Sequence, residues 1–137
     1  MEVNMRQILF RGKTACGAWV QGDLIHRKIW SSKFEVIRVD DRGFDNYTEY
    51  EIATDTIGQF TGLTDKNGNK IFEGDIIKIP DDYDEFGHNA GEIYEVYFCC
   101  GGFRLKPKYS KARGYWLEDD ETVEVIGNIH DNPELLK

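Results

Sequence analysis

The stretch whose reading decides the fold is Ile57–Ile79, IGQFTGLTDKNGNKIFEGDIIKI. Two apolar segments, Phe60-Thr61-Gly62-Leu63 and Ile71-Phe72, flank the polar run Asp65-Lys66-Asn67-Gly68-Asn69. Asn-Gly is the dipeptide that most readily takes the positive φ values of a reversing hairpin, so the flanking segments are predicted to run antiparallel. Glu73-Gly74 then interrupts the pattern, and a glycine inside a strand pattern marks a bulge or a close backbone approach. Asp75 leads into the β-branched run Ile76-Ile77-Lys78-Ile79, which Pro80 stops. A hairpin, a glycine-marked kink and a second strand make the corner of a small barrel.

Working outward, short strand patterns recur on both sides. Upstream are Arg6-Gln7-Ile8-Leu9-Phe10-Arg11, ending at Gly12, and Gly17–Ile25 with Gly22 at a bend; Phe34-Glu35-Val36-Ile37-Arg38-Val39 is closed by a turn at Asp40-Asp41-Arg42-Gly43. Gly22-Asp23-Leu24-Ile25 echoes Gly74-Asp75-Ile76-Ile77, a hint of two similar corners. Residues 44–56 are polar without a clear period and read as the link between two lobes. Downstream, Asp81–Gly91 is an acidic, glycine-containing loop, and Glu92-Ile93-Tyr94-Glu95-Val96-Tyr97-Phe98 alternates as a strand with Tyr94, Val96 and Phe98 on one face. Gly101-Gly102 turns the chain into Phe103-Arg104-Leu105, and Pro107 ends that strand. Thr122–Ile129 is the last strand, and Asn132-Pro133 caps one helical turn over Pro133–Leu136. No three-turn amphipathic helix is present, so the chain reads all-β. It divides into an N-terminal β lobe over 1–54 and a barrel-like lobe over 55–137.

With 137 residues, 40% of them apolar, and eight Phe, seven Tyr and three Trp, the chain can bury a core without staples. Formal net charge is −8. Residues 1–57 carry 8 basic and 9 acidic groups, whereas residues 58–137 carry 9 and 16. Such a surface repels phosphate backbones, so nucleic acid is an unlikely partner. No apolar run is long enough to span a membrane and no signal-peptide plan opens the chain, so a cytoplasmic location is expected. Three cysteines, Cys16, Cys99 and Cys100, agree with a reducing compartment.

Candidate chemistries are few. Asp65-x-Asn67-x-Asn69 matches the start of a calcium loop, but its Gly stands at the fourth position and Ile76 occupies the twelfth, where a bidentate Glu belongs. An ordinary hairpin turn is the expectation. Glu73 and Asp75 would share a face of a regular strand as a carboxylate pair for a divalent metal or acid–base work, yet Gly74 between them disturbs that geometry. Asp75 is expected to accept nearby backbone N–H groups at a corner. The cysteines lack zinc spacing with His26, His88 and His130 and read as buried free thiols. His88, in its glycine-flanked loop, is the histidine best placed for function. No nucleophile-elbow, Walker or dinucleotide-binding motif occurs, so neither a catalytic residue nor a cofactor is assigned.

Arg11, Gly22-Asp23-Leu24, the run Ile57–Asp75 and the closing Val125-Ile126-Gly127-Asn128-Ile129-x-x-Asn132-Pro133-Glu134-Leu135-Leu136 together resemble the YopX-like phage protein family. The resemblance covers essentially the whole chain. It implies a phage or prophage origin and a β fold whose C-terminal part is an SH3-like roll, and it implies no reaction or catalytic residue.

The expected role is therefore a non-catalytic binding or assembly module, homo-oligomeric because small sheets with exposed edges are often covered by partners. Arg104, Lys106, Tyr109, Tyr115 and Trp116 form its candidate recognition surface, joining aromatic area to positive charge. A host or phage protein is the expected partner. Two alternatives stand beside this reading. One is a metal-dependent enzyme acting through Glu73 and Asp75. The other is an acidic mimic of nucleic acid presenting Asp81–Glu85 and Glu118–Glu121 to a basic host protein.

Overall fold

The computed structural model describes residues 6–43, 46–79, 92–108, 115–117 and 123–137, with only the backbone given for Arg42, Gly43, Tyr115 and Trp116. Among them eleven strands and two single 3-10 turns are found, which makes the chain all-β. The chain divides into two compact units, Met1–Phe60 and Thr61–Lys137.

The first unit is an antiparallel sheet in the order β4-β3-β2-β1-β5. Its strands are β1 (Phe10–Lys13), β2 (Trp19–Ile29), β3 (Ser32–Gly43), β4 (Asn46–Ile52) and the start of β5 (Gly58–Thr64). Strand β1 runs through Gly12 and pairs with β2 from Phe10↔Gly22 to Lys13↔Trp19. Gly22 is not a bend. It is the point where β2 leaves β1 for β3, and a Cβ there would lie 2.1 Å from the Arg38 carbonyl oxygen. The absent side chain lets two backbones close. Residues 44–56 contain a strand where the sequence suggested a structureless link. Tyr47, Thr48, Tyr50 and Ile52 are aromatic or β-branched, and pairing with β3 from Glu35↔Ile52 to Gly43↔Asn46 supplies the order their weak periodicity hides. Among the described residues, Val36, Ile37, Ile52 and Phe60 are the unit's buried apolar residues. Arg11 is buried too, with its guanidinium 4.8 Å from the centre of the Trp19 ring.

In the second unit the end of β5 lies beside β6 (Lys70–Phe72), and the Thr61 hydroxyl donates to the Ile71 carbonyl at 2.8 Å. Gly68 and Gly74 have φ of +80° and +93°, so the reversal and the kink fall where the Asn-Gly and Glu-Gly steps place them. A five-stranded antiparallel sheet follows, in the order β10-β9-β8-β7-β11. Its strands are β7 (Asp75–Lys78), β8 (Ile93–Cys99), β9 (Gly102–Pro107), β10 (Tyr115–Trp116) and β11 (Glu124–Asn128). Both sheets are open, in place of the expected small barrel: among the described residues β10 and β11 end the second sheet without pairing to each other. Ile71, Ile77, Ile79, Tyr94, Val96, Leu105 and Val123 make its core, with Leu63, Leu117 and Val125 packed against them. Phe98 keeps the alternation of Tyr94 and Val96 but lies outside the core. It is 51% exposed at the far end of β8, edge-on to Phe103 with ring centroids 5.3 Å apart.

The echo between Gly22-Asp23 and Gly74-Asp75 has no structural counterpart, because Gly22 lies mid-strand beside an exposed Asp23, whereas Gly74 lies in a turn and Asp75, 2% exposed, opens β7. Pro133–Leu136 forms the closing helical turn. Asn132 precedes it, but its side-chain oxygen accepts from the Asn128 amide at 3.3 Å and not from the turn itself. No helix among the described residues is long and apolar enough to cross a membrane.

Candidate functional site

The Asp65–Asn69 turn is organised by one buried carboxylate. Asp65 Oδ1 accepts the amides of Asn67 at 2.9 Å and Asn69 at 2.8 Å; Oδ2 accepts the Val125 amide at 3.0 Å and the Asn69 side-chain nitrogen at 3.3 Å. Burial pushes this carboxyl up, but those N–H donors, Val125 and Asn69 foremost, outweigh it and hold the group below the ordinary carboxylate range. Both oxygens face donors, an arrangement that welcomes negative charge and opposes a cation. Asp65, Asn67 and Gly68 thus form a structural turn clasped by β11.

At the kink, Asp75 Oδ2 accepts the Phe72 amide at 2.7 Å. Gly74 donates its amide to the Val96 carbonyl at 2.8 Å and accepts the Ile129 amide at 2.9 Å, so β8 and the end of β11 are both tied to it. Asp75 is buried against the backbone while Glu73 is half-buried, so the two carboxylates do not share an environment. Among the described residues no group of three or more His, Cys, Asp or Glu is placed to hold a metal ion.

The cysteines are free thiols but not buried ones: Cys16 and Cys100 are exposed and Cys99 is half-buried. Cys99 and Cys100 sit at the β8–β9 turn with their sulfurs 2.8 Å apart, and that contact, aided by burial, pushes the Cys99 thiol up. Such a thiol is a poor nucleophile at neutral pH.

Strand β9 carries Arg104 and Lys106 on either side of buried Leu105. Arg104 stands opposite Tyr97 on β8 and Trp116 on β10, and Lys106 stands opposite Glu95. A recess of about 170 Å³ opens beside them, lined by Glu95, Lys106, Pro107, Lys108 and Leu136. Tyr115 is in register with buried Leu105, so the backbone brings Trp116, and not Tyr115, alongside Arg104. Tyr109, His88 and the acidic runs Asp81–Glu85 and Glu118–Glu121 lie outside the described residues.

A second surface is one that sequence reasoning passed over. On β2, β3 and β4, Glu49 accepts from Arg27 and, at 2.8 Å, from Arg38, whose guanidinium lies 4.0 Å from the centre of the Tyr47 ring. The bond from Arg38, reinforced by that from Arg27, holds the Glu49 carboxyl low against the opposing effect of burial. Beyond this network β4 ends at Ile52, opposite Glu35. The pairs Arg27↔Phe34, Lys28↔Lys33 and Ile29↔Ser32 continue as a two-stranded ribbon, closed by Trp30-Ser31. Trp30 is 92% exposed and holds φ at +58°, and Ile29 is 57% exposed. The available signal was His26–Phe34 itself, a run with Arg27, Lys28 and Lys33, no acid, and a Trp where a turn calls for Gly.

A model of the YopX protein family matches residues 9–137. The chain belongs to the YopX protein family. Within that family it is similar to the SPbeta prophage-derived uncharacterized protein YopX of Bacillus subtilis strain 168, at 27% identity over 139 residues, covering 90% of this chain and 96% of that one. Its fold resembles the crystal structure of protein EF1440 from Enterococcus faecalis, with a TM-score of 0.56 and 26% identity over 97% of this chain and 100% of that one. The YopX match spans both units and includes the turn, the kink and the ribbon.

Proposed function

We propose that this YopX family member is a phage- or prophage-encoded, non-catalytic module that binds or assembles in the bacterial cytoplasm. In this reading its second unit works as an open SH3-like roll, with Arg104, Lys106, Tyr109, Tyr115 and Trp116 as a recognition surface for a host or phage protein. The observation that carries it is the edge of the first sheet. Strand β4 is last in its order, seven residues long, with Tyr47 and Tyr50 50% and 38% exposed. A long edge with aromatic cover is a template for strand addition, and a second copy is the simplest partner to supply it.

Light scattering on the full chain tests the assembly. A mass above the monomer is expected, falling towards the monomer in Tyr50→Lys; a wild-type monomer at high concentration, together with no partner retained on a tagged copy, removes the proposal. The competing metal-dependent enzyme would need Asp75 to turn away from the Phe72 amide. Millimolar Mn²⁺ or Mg²⁺ is accordingly expected to leave the melting temperature unchanged, since a ligand that binds only the folded state must raise it.

A further inference from the structure

We infer that the ribbon tip formed by Arg27–Phe34 is a binding site for single-stranded nucleic acid, with Trp30 as the stacking platform and Lys28 and Lys33 as the phosphate clamp. The inference deepens the reading of the chain as a binding module by naming a partner class, and it uses a surface separate from the β4 edge and from β9.

Three features of the tip work against the folded chain. Trp30 occupies the first position of a two-residue turn with φ of +58°, where glycine is the rule and a bulky side chain is strained. Lys28 and Lys33 are directly opposite each other and both exposed, a like-charge cross-strand pair that repels. Among the described residues the last three pairs have no third strand beside them, and an isolated two-stranded ribbon is marginal in water. Strain of this kind clusters at ligand clamps and other functional sites.

The same features fit a nucleotide chain. A phosphate between the two ammonium groups turns their repulsion into a shared attraction, and an indole held open to solvent offers a face on which an unpaired base stacks. Arg27 is engaged by Glu49, which leaves the lysines as the cations at the tip without an ion pair among the described residues. Charge at large does not forbid this contact. Three ribbon pairs reach about 10 Å beyond β4 at ~3.3 Å per residue. That puts Trp30 past the screening length of about 8 Å at physiological salt; Glu35, two residues from Lys33, lies inside it, but its carboxylate accepts from the Thr54 hydroxyl at 2.6 Å and lies 3.5 Å from His26, and Glu49 is paired with Arg27 and Arg38. A membrane surface is less well matched, because the ribbon offers only Ile29 and Trp30 as exposed apolar cover.

The test is fluorescence anisotropy of a labelled 20-residue oligothymidine with the full chain, in parallel with vesicles of phosphatidylcholine and phosphatidylserine. Binding to the oligonucleotide is expected, with log affinity falling against log salt at a slope of about −0.7 for the one clamped phosphate. Trp30→Ala should weaken it about 5- to 150-fold. Trp30→Gly should weaken it equally while melting no lower than wild type, and Lys28→Gln with Lys33→Gln should bring the salt slope near zero. No binding at 50 mM salt, binding indifferent to Trp30, or Trp30-dependent binding to vesicles in place of oligothymidine would each overturn the site. Light scattering of Trp30→Gly separates this outcome from the assembly proposal: loss of oligothymidine binding with the oligomer intact leaves that proposal standing.

Discussion

At the scale of single residues, the decisive group is a carboxylate that performs no chemistry. Asp65 is 3% exposed, yet three backbone amides donate to it, one of them from Val125 across 60 positions of sequence. Hydrogen bonds to a charged acceptor contribute about 1.5–3 kcal/mol, and their loss here leaves buried N–H groups unsatisfied. Asp65→Ala is therefore expected to cost about 3 kcal/mol in urea denaturation. The pH dependence follows from the direction of the shift. With the folded carboxyl below its unfolded value of about 3.9, its stabilisation is complete above roughly pH 5 and is lost as pH falls through the folded pKa. In Asp65→Asn that acid limb should flatten in a series of melts between pH 5 and 2; an unchanged limb would show that the stabilisation lies elsewhere.

Elements differ in how openly the sequence declares them. The reversal at Asn67-Gly68 and the kink at Gly74 were legible because positive φ is a local demand that few residue types meet. Strand β8 was legible from its alternation, and Tyr94 and Val96, which that alternation puts on one face, are both buried. Strand β4 was not, since its aromatic and threonine positions become strand only through the ladder with β3. The buried Asp75 was anticipated as an acceptor at a corner, but nothing in a linear reading locates Glu49 between Arg27 and Arg38, because that meeting is made by register across three strands. Gly22 was seen and misread for the same reason: its neighbour is the Arg38 carbonyl, sixteen positions away and invisible to a local pattern. Gly22→Ala is expected to cost about 3 kcal/mol or more, as a backbone-to-Cβ clash cannot be relieved by a rotamer change. The loss should appear as amide-exchange protection falling first in Leu24–Ile29 and Val36–Val39.

For the molecule as a whole, each unit is closed by contacts between its beginning and its end. In the first, Phe10 and Arg11 pair with Gln59 and Gly58. In the second, the Asp65 turn is held by Val123 and Val125, with the Lys66 amide donating to the Val123 carbonyl at 3.0 Å. Ile76 and Ile77, both fully buried, lie on β7 against the same β11. Deleting residues 123–137 should leave the β7 amides exchanging at near-unfolded rates, and retained protection there would show that β11 is dispensable. On the ribosome this has an ordering effect. The nascent chain can seal its first sheet once residue 59 has emerged, but the hairpin at Asn67-Gly68 must wait, its carboxylate solvated, until some sixty further residues have been translated and the last strand arrives to dock.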